Sequence, residues 1–250
     1  MTVKRYTLIC LISFCIGLCI YAPAQLMGSV LNQLSKNRLS LAYTEGSFWQ
    51  GNGHLLLNNV NQQADPVDMG KVNWNTQVMQ LIAGKFAAHL TLNQGVPFWV
   101  TVDTSRLHIE HAAFNLPADI ISTLVPSFKP AQLGGQLEVR CNNFSLTKQE
   151  ILGQLEIDWN QASSPLSMVN PLGNYHAKFE GKGTGLNVQL STLSAGPLLV
   201  EGLGHWAENG EFHFDGIAEA EPISKTQLQE LLRVMGNETT AGSGKYQMHF

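Results

Sequence analysis

The chain has 250 residues, of which 44% are hydrophobic and only 14% are charged, and its formal net charge at pH 7 is −4. Its length suits one domain of ordinary size with a short targeting segment, and its composition is unlike that of a disordered protein. Nucleic-acid binding is disfavoured because it needs a basic surface, and the sequence has no Lys/Arg cluster beyond Lys4-Arg5.

An apolar run near the N-terminus determines the predicted topology. It covers residues 6–24 and follows Lys4 and Arg5. Positive charge before an apolar segment keeps the N-terminus in the cytoplasm and sends the following chain across the membrane. The run is near the lower length limit for a transmembrane helix, and Ala22-Pro23-Ala24 also resembles a signal-peptidase site. The residues alone therefore leave a retained anchor and a cleaved signal open.

The rest of the chain divides into a short connecting segment and a long domain. Residues 25–38 contain a short apolar-periodic stretch and are predicted to form a helical extension or linker. From residue 39 to residue 250 the dominant hydrophobic period is two, which indicates half-buried antiparallel strands. Turn residues separate these segments about every 8–12 residues, the spacing of a β-meander or sandwich. The clearest alternation places Leu137, Val139 and Cys141 on one strand face, followed by Leu155, Ile157 and Trp159 on one face of the next strand.

Two short helices are predicted to interrupt the sheet. The first covers residues 117–125, with Pro117 in its first turn, where a proline is favoured. The second is capped by Ser224 and runs to Met235, with Gly236 at its end. The predicted fold class is therefore mainly β (α+β), with an antiparallel sheet or meander and two helices.

Two segments of the domain resemble each other. Residues 53–74 and residues 135–159 each contain a strand, an Asn-Asn pair, a loop, and a second strand that ends in tryptophan. Duplication of a β-hairpin unit would produce this similarity. Convergent alternation of polar and apolar residues would produce it as well.

The sequence contains none of the motifs that carry common enzymatic chemistry. It has no nucleophile elbow, phosphate-binding loop or zinc-binding helix. Gly181, Gly183 and Gly185 alternate in a strand pattern without a following helix, so they do not form a phosphate cradle. We interpret them, like Gly202 and Gly204, as positions where an aromatic ring lies over the sheet or the sheet bends. No catalytic residue, metal or cofactor is predicted.

Two other sets of polar side chains do not indicate a metal site or a catalytic site. His108 and His111 would lie on opposite faces of a strand and could not jointly hold a metal. Asp215, Glu219 and Glu221 lack a basic or nucleophilic neighbour, so we interpret them as a polar strand edge.

A series of short motifs runs through the chain in a fixed order. It begins with a Gly-Ser-Phe-Trp-Gln-Gly element after the apolar run and continues through an Asn-Leu-Pro-Ala element in mid-chain. A glycine-rich region follows, from Asn170 to the Gly-x-Gly-x-Trp element that ends at Trp206. In order and spacing, the series resembles protein N of the type II secretion system, the general secretion pathway protein N family. The motif residues are Gly46, Trp49, Gly51, Pro117, Asn170, Pro171, Gly173, Tyr175, Gly196, Pro197, Gly202, Gly204 and Trp206.

The resemblance covers nearly the whole chain and implies a non-enzymatic role in the bacterial inner membrane. Residues 1–5 would be cytoplasmic, the 6–24 segment would stay as a single-pass anchor, and the 39–250 domain would be periplasmic. The protein would help export folded proteins across the outer membrane by contacting other secretion subunits. Because the family is known by its membership of an assembly, the motif residues are expected to be structural. The alternative function is binding or transfer of lipid or another hydrophobic ligand in a β-sheet groove.

Overall fold

A computed structural model of the protein describes residues 17, 21–59, 65–207, 211–240 and 242–249. Strands account for most of this structure, as the alternation of polar and apolar residues predicts. They are β1 Leu39–Gly46, β2 Gln50–Leu57, β3 Val67–Thr76, β4 Phe86–Leu92, β5 Phe98–Val102, β6 Arg106–Glu110, β7 Ala112–Pro117, β8 Gly134–Thr147, β9 Ile151–Ser163, β10 Gly173–Gly183, β11 Leu186–Thr192, β12 Leu198–Trp206, β13 Phe212–Ala220, β14 Asn237–Glu238 and β15 Lys245–His249.

Within the described residues, the strands form a single 15-stranded antiparallel sheet. The spatial order follows the chain from β1 to β6 and from β8 to β13, and then continues through β15 to β14. Strand β7 pairs with β8 next to β6, so the long β8 is shared by two short partners. The prediction of a mainly β antiparallel meander is confirmed.

The helices lie between or before strands. They are α1 Gln25–Leu34, α2 Val78–Ile82, α3 Ile120–Leu124 and α4 Lys225–Met235, with a 3-10 helix at Pro126–Ala131. Helix α4 matches the second predicted helix, although the side chain of Ser224 makes no capping hydrogen bond. Helix α1 lies within residues 25–38, the segment predicted to form a helical extension or linker, whereas α2 and the 3-10 helix are additional to the two helices predicted in the domain.

The predicted start of the first helix is wrong. Pro117 is the last residue of β7 and pairs with Gln136, and α3 begins only at Ile120. A proline cannot donate a ladder hydrogen bond, so it is tolerated where a strand has a partner on one side alone. Within the described residues, β7 is paired with β8 alone at Pro117, since the isolated bridge on its other edge joins Ala113 to Val96.

Strand residues alternate between two chemically distinct faces. Leu137 pairs with Trp159, which pairs with Tyr175, and these residues lie on what we call the inner face. The next residue along each strand lies on the opposite side, the outer face, where Glu138 pairs with Asp158. This alternation follows from the two-residue period of a strand and produces an apolar and a polar side.

The hydrophobic core covers the inner face in two clusters. Helix α1 contributes Met27 to the N-terminal cluster, and α4 contributes Leu228 and Leu232 to the C-terminal cluster. Ile121 and Trp159 pack against both clusters and join them. Burying a leucine side chain stabilises a fold by about 1.5–3 kcal/mol, so α4 is a main stabilising element of the C-terminal half.

The two similar segments both form adjacent antiparallel strands. Residues 53–74 include most of β2 and β3, and residues 135–159 include most of β8 and β9. In each pair the register shifts at a bulge, and a glycine with positive φ lies near it: Gly70 at 111° and Gly153 at 107°.

The predicted anchor, residues 6–24, lies outside the described residues except for position 17 and residues 21–24, and Lys4 and Arg5 lie outside them as well. In the part of the chain that the structure describes, no helix is both long and apolar enough to cross a membrane. Pro23 forms an isolated antiparallel bridge with Ser47, and Ala24 is buried in the N-terminal cluster.

Candidate functional site

The first motif builds the turn between β1 and β2. Gly46 adopts a φ of 93°, in the region that favours glycine. A Cβ on Gly51 would lie 2.6 Å from Cζ2 of Trp74, so the missing side chain lets the indole pack on the strand. The Trp74 indole N–H donates to the carbonyl oxygen of Ser47 at 3.2 Å. The ring of Trp49 contacts that of Phe48, with centroids 5.1 Å apart. These contacts indicate a structural role.

A second group of motif residues meets around Tyr175. The Tyr175 hydroxyl donates to the carbonyl oxygen of Leu198 at 2.9 Å, and burial raises the pKa of this tyrosine. A Cβ on Gly173 would lie 3.1 Å from that hydroxyl. The Asn170 side chain accepts a hydrogen bond from the backbone N–H of Ser164 at 3.2 Å.

The rest of this group closes the same loop region. The Asn170-Pro171 peptide bond is cis. The carbonyl oxygen of Pro197 accepts the backbone N–H of Glu221 at 2.9 Å, and Gly196 packs near the carbonyl oxygen of Leu172. The motif residues that are far apart in sequence thus share one structural neighbourhood at the start of β10 and β12.

The glycine stripes have two different local causes. The ring of Phe214 lies over Gly202 and Gly204, one of the two arrangements expected for such stripes. Gly181 instead approaches the backbone of Ile151 on the adjacent strand, where a Cβ would lie 2.5 Å from the carbonyl oxygen.

Trp206, the last motif residue, belongs to an exposed apolar surface. Trp206 is 47% exposed and Phe212 is 38% exposed, and their ring centroids are 5.7 Å apart. Both lie on the inner face, where β12 ends and β13 begins. Leu186, the first residue of β11, pairs with Trp206. We call this surface the apolar rim; it consists of Leu107, Leu146, Ile151, Leu186, Trp206 and Phe212.

The middle of the outer face carries a network of charged side chains centred on Arg140. Its guanidinium bonds to Asp158 and contacts Glu138 at 3.1 Å, and His176 Nδ1 lies 2.6 Å from Asp158 Oδ1. Burial alone would raise the pKa of Asp158, but the His176 hydrogen bond and the Arg140 charge outweigh it, and the pKa lies below its usual value. Each of these side chains has a partner within the network, which indicates a structural role.

A cavity of about 400 Å³ opens on the outer face of β1–β4. In the ladder Asn52 pairs with Asn73, which pairs with Thr91, and the next row pairs Gln50 with Asn75 and His89. Sequence reasoning missed this surface, although Asn73 and Asn75 alternate with Val72 and Trp74. We call it the amide cleft; its lining includes Gln50, Asn52, Asn73, Asn75, His89 and Thr91.

The described residues contain no group of three or more His, Cys, Asp or Glu side chains that could hold a metal ion. His108 Nε2 lies 3.2 Å from Glu110 Oε1. The expectation that Asp215 and Glu219 lack a basic neighbour is wrong, because strand β15 places His249 2.7 Å from Asp215 and Lys245 2.9 Å from Glu219.

Comparison with known proteins identifies one family. The model of the family described as type II secretion system (T2SS), protein N, matches residues 37–248, most of the chain. No curated protein and no solved structure matches the chain.

Proposed function

Because the chain belongs to the type II secretion system protein N family, we propose that it is an accessory inner-membrane component of that secretion system. In this function it contributes to the export of folded proteins from the periplasm across the outer membrane. It acts by binding other subunits, not by catalysis. The family match over residues 37–248 is the observation that carries this proposal.

The proposed topology has a cytoplasmic N-terminus, a single anchor over residues 6–24 and a periplasmic domain. Lys4 and Arg5 before the apolar run support this orientation. Helix α1 supports it too: Leu26, Val30 and Leu34 recur every four residues and are exposed, and the helix has no charged residue. A helix with an exposed apolar flank next to an anchor suits the membrane interface.

We assign the subunit contact to the apolar rim. Aromatic residues are enriched in the cores of protein interfaces, where they bury much apolar area at low entropic cost. Trp206 and Phe212 provide such side chains, next to half-buried Leu186, at one end of the sheet. The outer face of β8–β10 instead carries charged side chains that pair with each other around Arg140.

In-cell photo-crosslinking tests this assignment. A benzoylphenylalanine at position 206 is expected to form adducts with other secretion subunits. The control position is Lys182 on the outer face, whose side chain is 70% exposed. Adducts with secretion subunits from position 206 and not from position 182 support the proposal. If position 206 gives no subunit adduct, the contact is elsewhere and this part of the proposal is wrong.

Binding of a lipid or another hydrophobic ligand is the second candidate function. The observation that favours it is the continuity of the apolar rim with half-buried inner-face residues such as Leu155, Phe179 and Leu190. Such a surface could accept an acyl chain. Residues 26–250, expressed without detergent, would then copurify with lipid detectable by mass spectrometry, and Trp206→Glu would reduce the bound amount. A ligand-free, compact domain would contradict this function.

A further inference from the structure

The amide cleft differs in chemistry from the rest of the outer face. Its lining consists mainly of side-chain amides, a hydroxyl and an imidazole, and Glu45 is its one acidic residue. The outer face of β8–β10 instead carries charges that pair with each other, as around Arg140. The side-chain amides of Asn52, Asn73 and Asn75 make no hydrogen bond to another residue in the described part of the chain. They are therefore free to bind an external molecule.

Aromatic rings flank the amides on both sides. The rings of His89 and Trp99 lie 4.6 Å apart on β4 and β5. The rings of Tyr43 and His54 lie 6.0 Å apart on β1 and β2, and Tyr43 is fully at the surface. Adjacent strands are about 4.8 Å apart, so Tyr43 and Trp99 are separated by roughly 20 Å across the sheet. An extended ligand can thus contact a ring at each end and the amides between them.

We propose that the amide cleft binds an uncharged glycan strand. A side-chain amide both donates and accepts hydrogen bonds, as do the hydroxyl and acetamido groups of a sugar. An aromatic ring offers an apolar face with a polar edge, which suits the apolar C–H face of a pyranose ring. A phosphate or carboxylate ligand fits poorly, because such anions are bound by Arg and Lys, and the cleft has none in its lining.

A peptide is a weaker candidate for this surface. Extended peptides usually bind a sheet by adding a strand at an edge, through backbone hydrogen bonds. The floor of the amide cleft is β2 and β3, which pair with each other and with strands on both sides. Their backbone groups are already used, so recognition here depends on side chains. Spaced side-chain amides between aromatic rings match a row of sugar hydroxyls better than a peptide backbone.

Calorimetric titration of the full chain tests the proposal. The protein is kept in a detergent without a sugar head group, since a glycosidic detergent would compete for the cleft. The probes are chitohexaose, which bears acetamido groups, and maltohexaose, which does not. The cleft variant is Asn73→Ala/Asn75→Ala. The matched control is Asn142→Ala/Gln189→Ala, which removes two exposed amides from the outer face of β8 and β11.

We expect at least one hexasaccharide to bind, the cleft variant to weaken binding about tenfold or more, and the control to leave it unchanged. Tighter binding of chitohexaose would identify the ligand as an N-acetylated glycan, such as the glycan strands of the cell wall. Tighter binding of maltohexaose would identify it as a polysaccharide without acetamido groups. Circular dichroism melting of both variants verifies that they fold. Absence of binding to both probes, or equal weakening by the control variant, would overturn the proposal. Neither result bears on the secretion function.

Discussion

The ring of Phe214 packs directly on the backbone of Gly202, so that a Cβ at position 202 would lie 2.5 Å from Cζ of the ring. Phe214 is buried in the C-terminal cluster, and its ring also crosses Gly204 and Gly216. The absence of side chains on these glycines is what allows an aromatic ring to lie flat on the sheet at this point.

Gly202→Ala is therefore expected to destabilise the domain by about 1–3 kcal/mol, because the added methyl group overpacks a filled core. The measurement is urea unfolding followed by circular dichroism. Leu203→Ala is the control, since this neighbouring side chain points to the outer face and is 66% exposed. Equal stability of Gly202→Ala and the wild-type chain would contradict the packing described for Phe214.

Removing the Tyr175 hydroxyl should also cost stability. Tyr175→Phe leaves the buried carbonyl oxygen of Leu198 without the hydrogen bond that it accepts at 2.9 Å. The expected loss is about 1–2 kcal/mol in the free energy of unfolding. Tyr246→Phe is a matched control, because Tyr246 is similarly buried and makes no hydrogen bond through its hydroxyl within the described residues. A loss of equal size in both variants would contradict the specific role of the Tyr175 hydrogen bond.

The Asp158 carboxylate should make stability depend on acid pH. Its pKa in the folded protein lies below the ordinary value of 3.8, since the His176 hydrogen bond and the Arg140 charge together outweigh the effect of burial. A depressed carboxyl pKa adds stability that is fully present above the ordinary value and is lost as the pH falls through the folded value. The wild-type chain should therefore be more stable than Asp158→Asn at pH 7, and this difference should shrink below about pH 4. Urea unfolding across this range measures it, and a difference independent of pH would contradict the prediction.

The strand pattern was predictable because the inner face is apolar along most of the sheet. Leu137, Val139 and Cys141 alternate in the sequence and all lie in the N-terminal cluster. The register shift between Asn142 and Ser145 was not predictable, since a bulge depends on the partner strand as well as on local sequence. Pro117 shows a similar limit: it suits a first helical turn, yet tertiary pairing with Gln136 places it in a strand.

The candidate surfaces were harder to predict than the strands. The alternation of Asn73 and Asn75 with Val72 and Trp74 places both amides on one face, and this follows from sequence alone. That Asn52 and His89 lie next to them depends on the registers of β2 and β4, which are set by contacts between distant segments. A single sequence therefore predicts which face a residue occupies more readily than which residues become its neighbours.

The exposed flank of α1 should contact lipid if the proposed topology is correct. The full chain, with Cys10, Cys15, Cys19 and Cys141 replaced by alanine, carries a single fluorescent probe at Val30→Cys and is placed in vesicles. The probe is expected to be quenched by nitroxide groups on lipid head groups. The control probe at Gln189→Cys lies on the outer face of β11 and should stay unquenched. Equal quenching at both positions, or none at position 30, would contradict an interfacial α1.

The secretion function is tested most directly by measuring where exported proteins accumulate in a deletion strain. Exoproteins in the culture medium and periplasm are compared between a strain lacking this chain and the same strain complemented with it. Outer-membrane permeability is assayed in parallel. We predict that exoproteins are retained in the periplasm with the outer membrane intact, and that complementation restores their release. Normal release from the deletion strain would contradict the proposed contribution to type II secretion.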